Sequence, residues 1–157
     1  MTLRSVTHDL AGSLWCGPAA LSIISGCPTS KCSELLLEVR QRITPWKKAA
    51  TVKGIKGVYP REVERVLESL GYRATRVFNS RWCDCEPTSV AKFLRERKGA
   101  DATTFFLISA GHHLMVVKGR KFVDNKTRKP VWIRQAPSRR KRLEVVWRIE
   151  RLNAKAC

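Results

Sequence analysis

Six cysteines and three histidines are the side chains of this 157-residue chain that could carry nucleophilic or metal chemistry, and their placement singles out one of each. Cys16 stands in Trp15-Cys16-Gly17-Pro18-Ala19-Ala20-Leu21, where Pro18 reads as a first-turn residue of a helix. A cysteine attacks as thiolate, and a helix N-terminus lowers its pKa because unpaired N–H groups and the macrodipole favour negative charge. Gly17 allows backbone or substrate to come close, and the N–H of Cys16 is placed to meet a developing oxyanion. A base is supplied by Gly111-His112-His113, which precedes the apolar strand Leu114-Met115-Val116-Val117.

The third member follows from hairpin geometry. A two-residue loop at Gly119-Arg120 pairs Val117 with Phe122 and Val116 with Val123. Alternation then puts His113, Met115 and Asp124 on one face, with Asp124 diagonal to His113 and able to orient its ring. A register shifted by one residue brings Asn125 to that face instead, and Asn also orients a histidine in cysteine hydrolases. His112 points to the opposite face, which makes His113 the base. Each residue has an ordinary reading as well, a buried cysteine at a helix start or a surface histidine before a strand. Only their combination points to catalysis.

Positioning these side chains requires helices in front and a sheet behind. The spacing predicts a helix over 16–25, stopped by Gly26, and a second with Cys32, Leu35, Leu36, Val39 and Ile43 on one face, ending before Pro45. A third runs from Pro60 to Leu70 with Gly71 as its stop, and a fourth follows Pro87 through Val90, Phe93 and Leu94 to Gly99. From Thr103 the period becomes that of strands: 103–109, 114–117, 121–124, 131–134 and 143–149. In the last, Leu143, Val145, Trp147 and Ile149 share a face. Helices followed by antiparallel strands describe an α+β fold.

The motifs Trp15-Cys16-Gly17-Pro18-Ala19-Ala20-Leu21, Gly111-His112-His113-Leu114-Met115-Val116-Val117 and Phe122-Val123-Asp124-Asn125 together resemble the peptidase C39-like branch of the papain-like cysteine peptidases. The resemblance implies a papain-like fold with N-terminal helices on a C-terminal antiparallel sheet. It also implies acyl transfer through a thioester, peptide or amide substrates, no cofactor, and Cys16, His113 and Asp124 as catalytic residues. One position departs from the pattern. Members carry a Gln about six residues before the cysteine that completes the oxyanion hole, and here that place is Leu10, with His8, Ser13 or backbone N–H groups to substitute. The compact size resembles a stand-alone member, of a phage or small bacterial kind.

Composition bounds the rest. The length suits a single domain over 1–157, and a hydrophobic share of 43% argues against disorder. No apolar run reaches the ~20 residues of a membrane span, and no export signal is read at the start, so we expect no membrane partner, cytoplasmic location and six reduced thiols. Cys27 and Cys32 with Cys83 and Cys85 could together bind zinc, although their spacing is unusual for it and Cys32 also fits a core stripe. Net charge is +18. Residues 118–157 hold fourteen Lys and Arg against Asp124, Glu144 and Glu150, a net of +11. Such a field favours weak, salt-sensitive binding of nucleic acid or another polyanion, with Arg139-Arg140-Lys141-Arg142 read as an exposed hairpin tip. The tryptophans Trp15, Trp46, Trp82, Trp132 and Trp147 are read as core or cleft residues. Two functions follow: a cysteine hydrolase acting on peptide or protein substrate, or a non-catalytic papain-like module that binds polyanions.

Overall fold

Helical spacing and stop signals produce four helices among the residues that the computed structural model describes, which are 1–43, 55, 57–80, 88–97 and 99–152. Pro45, Trp46, Trp82, Cys83, Cys85, Pro87 and Cys157 lie outside the described residues. Helix α1 (Cys16–Ser25) ends as expected at Gly26, whose φ of 86° is left-handed and whose N–H closes on Ser22 O. Helix α2 (Thr29–Ile43) begins ahead of its apolar stripe because Asp9 caps it from outside, accepting from Ser30 N–H at 2.9 Å. Along that stripe Cys32 and Leu36 are buried, whereas Ile43 runs past the core and is exposed.

Helix α3 (Pro60–Ser69) buries Val63, Val66 and Leu67. Its Glu62 carboxylate turns back to the Tyr59 N–H at 2.9 Å and is gripped by Arg40 at 2.7 and 2.8 Å. Helix α4 (Val90–Glu96) is capped by Ser89 Oγ, which accepts from Lys92 N–H at 3.2 Å.

Six strands form one sheet, β1 (Tyr72–Asn79), β2 (Phe105–Ala110), β3 (Leu114–Lys118), β4 (Lys121–Val123), β5 (Val131–Trp132) and β6 (Leu143–Arg151). Their order is β1-β6-β2-β3-β4-β5 and every pairing is antiparallel. The fold is α+β.

Several expectations change. Strand β1 interrupts the helical front expected ahead of Thr103, between the third and fourth helices. Its apolar residues are sparse, and a bulge between Arg76 and Phe78 sends Phe78 to the opposite face from Tyr72 and Ala74, so no clean alternation marks it. The strand expected at 131–134 stops after Trp132 and turns into a short 3-10 segment, Ile133–Gln135. The basic run Arg139-Arg140-Lys141-Arg142 is not a hairpin tip, because β5 lies on one edge and β6 is second from the other. It belongs to a crossing segment whose Arg139 and Lys141 carbonyls accept from the Ala91 and Val90 N–H groups at the start of α4.

Both faces of the sheet are covered. Helices α1, α2 and α3 share one core with Leu114, Val116, Val123, Val145, Trp147 and Ile149. On the other face Phe106, Ile108, Met115, Phe122 and Val146 meet Val90 and Phe93 of α4. Burial on both sides is why β2 and β3 are near-continuous apolar runs. Leu143 leaves the expected face of β6, since a bulge at Glu144 shifts the register between Ser109 and Ala110.

Candidate active site

The first turn of α1 presents its backbone N–H groups where the thiol sits. Ala19 N–H already bonds Trp15 O and Pro18 has none, which leaves the N–H groups of Cys16 and Gly17 outside the helical ladder. Gly17 is required by close packing: a Cβ there would lie 2.6 Å from Val58 Cγ1. Ahead of the helix, Asn125 Nδ2 donates to Leu14 O at 2.8 Å and holds the chain that leads into Cys16.

His113 is set by a tight turn. Ala110 and His113 exchange backbone hydrogen bonds across Gly111 and His112, whose φ values of 57° and 60° are those of a two-residue hairpin loop with left-handed centres. His112 is a non-glycine residue in that region and is held there by Glu144, which accepts from His112 N–H at 2.9 Å and from Ser109 Oγ at 2.6 Å. The His112 side chain is 98% exposed and takes no part in the site.

Met115, expected on the face of the site, packs in the core beneath α4, whereas Cys16 packs against the core of α1, α2 and α3. The β3–β4 register nonetheless matches the expected two-residue loop, with Val116 opposite Val123 and Val117 opposite Phe122. Asp124 therefore arrives diagonal to His113, and its Oδ2 lies 2.9 Å from His113 Nε2. Its Oδ1 accepts from Lys126 N–H, Thr127 N–H and Thr127 Oγ1 at 3.0, 2.7 and 3.0 Å, so the buried carboxylate has a full set of partners. Asn125 faces Leu14 rather than His113, which excludes the shifted register.

The electrostatics agree with the geometry. Burial raises the Cys16 thiol pKa, but a hydrogen bond with His113, the Leu114 N–H and its own N–H outweigh it and the net shift is downward. Hydrogen bonds to Asp124 and then Cys16 push the His113 imidazole up to about 9 against the desolvation that opposes them. Burial alone would raise Asp124, and the bonds from His113 and Thr127 hold it below the ordinary carboxylate value. With Nε2 turned to Asp124, Nδ1 is the ring nitrogen left for the thiol. Both shifts favour the thiolate and imidazolium forms of the pair.

Ahead of α1, His8, residues 10–15, Pro18, Thr29 and Ser33 line a cavity of about 460 Å³ that neither Cys16 nor His113 lines. Leu10 lines it in the place of the absent Gln. His8 is engaged elsewhere, with Nδ1 3.1 Å from Thr29 Oγ1, whereas Ser13 remains on the cavity wall. Three contributors escaped the sequence reading: the Leu114 N–H, the Asn125 clamp and the Glu144 anchor. Only the adjacency of Asn125 to Asp124 carried any signal for them.

The other cysteines behave differently. Cys27 is disulfide-bonded, whereas Cys16 and Cys32 are free. Six reduced thiols are therefore not what the chain has, and the expectation of a cytoplasmic location loses that support. The disulfide also removes Cys27 as a thiolate for the four-cysteine zinc set, and Cys83 and Cys85 lie outside the described residues. Burial pushes the Cys32 thiol up to about 12, far from a reactive range. No helix among the described residues is long and apolar enough to cross a membrane. No protein-family model and no curated protein matches the chain, so the meaning of the site rests on its own geometry.

Proposed function

We propose that the chain is a cysteine hydrolase of the papain-like, C39-like type that cleaves peptide or amide bonds. The observation that carries this reading is His113, bonded to buried Asp124 through Nε2 and to the Cys16 thiol at a helix start. The chain order Cys, His, Asp and the packing of α1 against β3 support the fold part of the reading. In the first step the Cys16 thiolate adds to the carbonyl carbon while the Cys16 N–H meets the oxyanion. The C–N bond then breaks and the His113 imidazolium gives its proton to the departing amine. Water, losing a proton to the neutral imidazole, adds to the thioester; the C–S bond breaks, the acid leaves and the thiolate–imidazolium pair returns.

The test is labelling of the intact protein with a peptidyl chloromethyl ketone, followed by peptide mass spectrometry and a screen of mixed peptides for cleavage. The reading expects label on Cys16, its loss in His113→Ala, and new peptide termini that Cys16→Ser does not produce. Equal labelling of wild type and His113→Ala would overturn it. A non-catalytic binding module is favoured by one observation, Leu10 in place of an oxyanion-hole amide. Label on Cys16 without any cleavage would select that second reading.

A further inference from the structure

Among the described residues the ion pairs are unevenly distributed. Lys31, Arg40, Arg65, Arg73 and Arg76 each have a carboxylate partner, all on α2, α3, β1 and β6. At the opposite edge of the sheet, around β4 and β5, stand Arg120, Lys121, Lys126, Arg128, Lys129 and Arg134, all exposed. No described carboxylate forms an ion pair with any of these six. The one acid in that stretch, Asp124, is buried with its oxygens committed to His113 and to its own turn.

Within the same edge Trp132 is 56% exposed, although an indole usually finds a core. It sits directly opposite Lys121 in the β4–β5 register, and the Lys121 ammonium lies 5.8 Å from its ring centre. Ile133 N–H bonds Arg120 O at 2.9 Å, which brings Arg120 alongside. The expectation that Trp132 packs in the core or a cleft does not hold. The run Arg139 to Arg142, by contrast, is tied by its backbone to α4.

We propose that Trp132 and the cations around it form a binding site for single-stranded nucleic acid, with a base stacked on the indole and phosphates along Arg120, Lys121 and Arg134. Unpaired cations attract any polyanion, but an exposed aromatic ring among them selects one with unstacked bases. A duplex hides its bases and an acidic polypeptide has none. The site is independent of the chemistry at Cys16.

The experiment measures fluorescence anisotropy of a labelled dT20 oligonucleotide titrated, at several salt concentrations, with the full chain as wild type, Trp132→Ala, Trp132→Phe, Lys121→Ala and Cys16→Ser. Trp132→Ala is expected to weaken binding roughly tenfold to hundredfold, the range of one lost stacking contact. Trp132→Phe should recover most of the loss, Cys16→Ser should bind as wild type, and Lys121→Ala should flatten the salt dependence. Equal melting temperatures confirm that the exposed substitutions leave the fold intact. Binding unchanged in Trp132→Ala overturns the proposal. So does a duplex of the same length, or polyglutamate, bound as tightly as the single strand.

Discussion

A proton shared out between Cys16 and His113 governs how the site responds to pH. The folded His113 pKa of about 9 lies above the ordinary 6.5, so its stabilising contribution is full below 6.5 and is lost as pH rises through about 9. Cys16 is the mirror case: its folded pKa is lowered from 9.0, so its contribution is present above that value and lost as pH falls through the lowered one. Between the ordinary imidazole and thiol values the two shifts oppose each other, since on folding His113 holds its proton more tightly and Cys16 less. Thermal melts should depend less on pH over this window in wild type than in Cys16→Ser, whose melting temperature should decline as pH rises above 6.5. A flat profile in the variant would contradict the pairing. The same thiolate predicts iodoacetamide alkylation of Cys16 at pH 6 well ahead of Cys32. Asp124→Ala should slow that reaction on the order of tenfold or more by freeing the imidazole. Asn125→Ala should slow it less than Asp124→Ala does, and lose about 1 kcal/mol of stability through the bond to Leu14.

Two tight elements hold these residues, and each can be tested by one substitution. The turn before β3 keeps His112 at a φ of 60°, a conformation that disfavours a side chain with Cβ. His112→Gly should therefore stabilise the protein by about 0.5 to 1 kcal/mol in denaturant titrations, leaving Cys16 reactivity unchanged. At the start of α1 the constraint is space. Gly17→Ala drives a methyl into the stiff, branched Val58 and should cost about 1 to 3 kcal/mol while lowering Cys16 alkylation, since the first turn must shift. Equal stability of Gly17→Ala and wild type would show that Val58 yields freely.

At the scale of the whole molecule, one sheet joins two cores, one beneath α1, α2 and α3 and the other beneath α4. Phe106 lies on the α4 side, edge-on to Phe93 with ring centres 5.5 Å apart, remote from the nucleophile. If the layers unfold together, Phe106→Ala should cost about 3 to 5 kcal/mol and shift the transition seen by circular dichroism and by Cys16 alkylation by the same amount. Transitions that separate would show that the α4 layer opens by itself. Charge is unevenly placed as well: among the described residues the Lys and Arg ion pairs lie on α2, α3, β1 and β6, and none lies at the β4–β5 edge.

Much of the site was legible in the chain because it depends on short-range rules. Pro18 and Gly26 bracket α1, and a two-residue loop at Gly119-Arg120 dictates the β3–β4 register, hence the choice of Asp124 over Asn125 as the partner of His113. Strand β1, the cap that Asp9 lends to α2, the clamp of Asn125 on Leu14 and the hold of Glu144 on the His112 turn were decided only by tertiary structure. So were the exposure of Trp132 and the bonded state of Cys27. Helix stops and hairpin loops act between neighbours in the chain, and the pattern of residue types records them. A side chain that caps, clamps or pairs at long range is chosen by which surfaces bury together, and no local spacing encodes that.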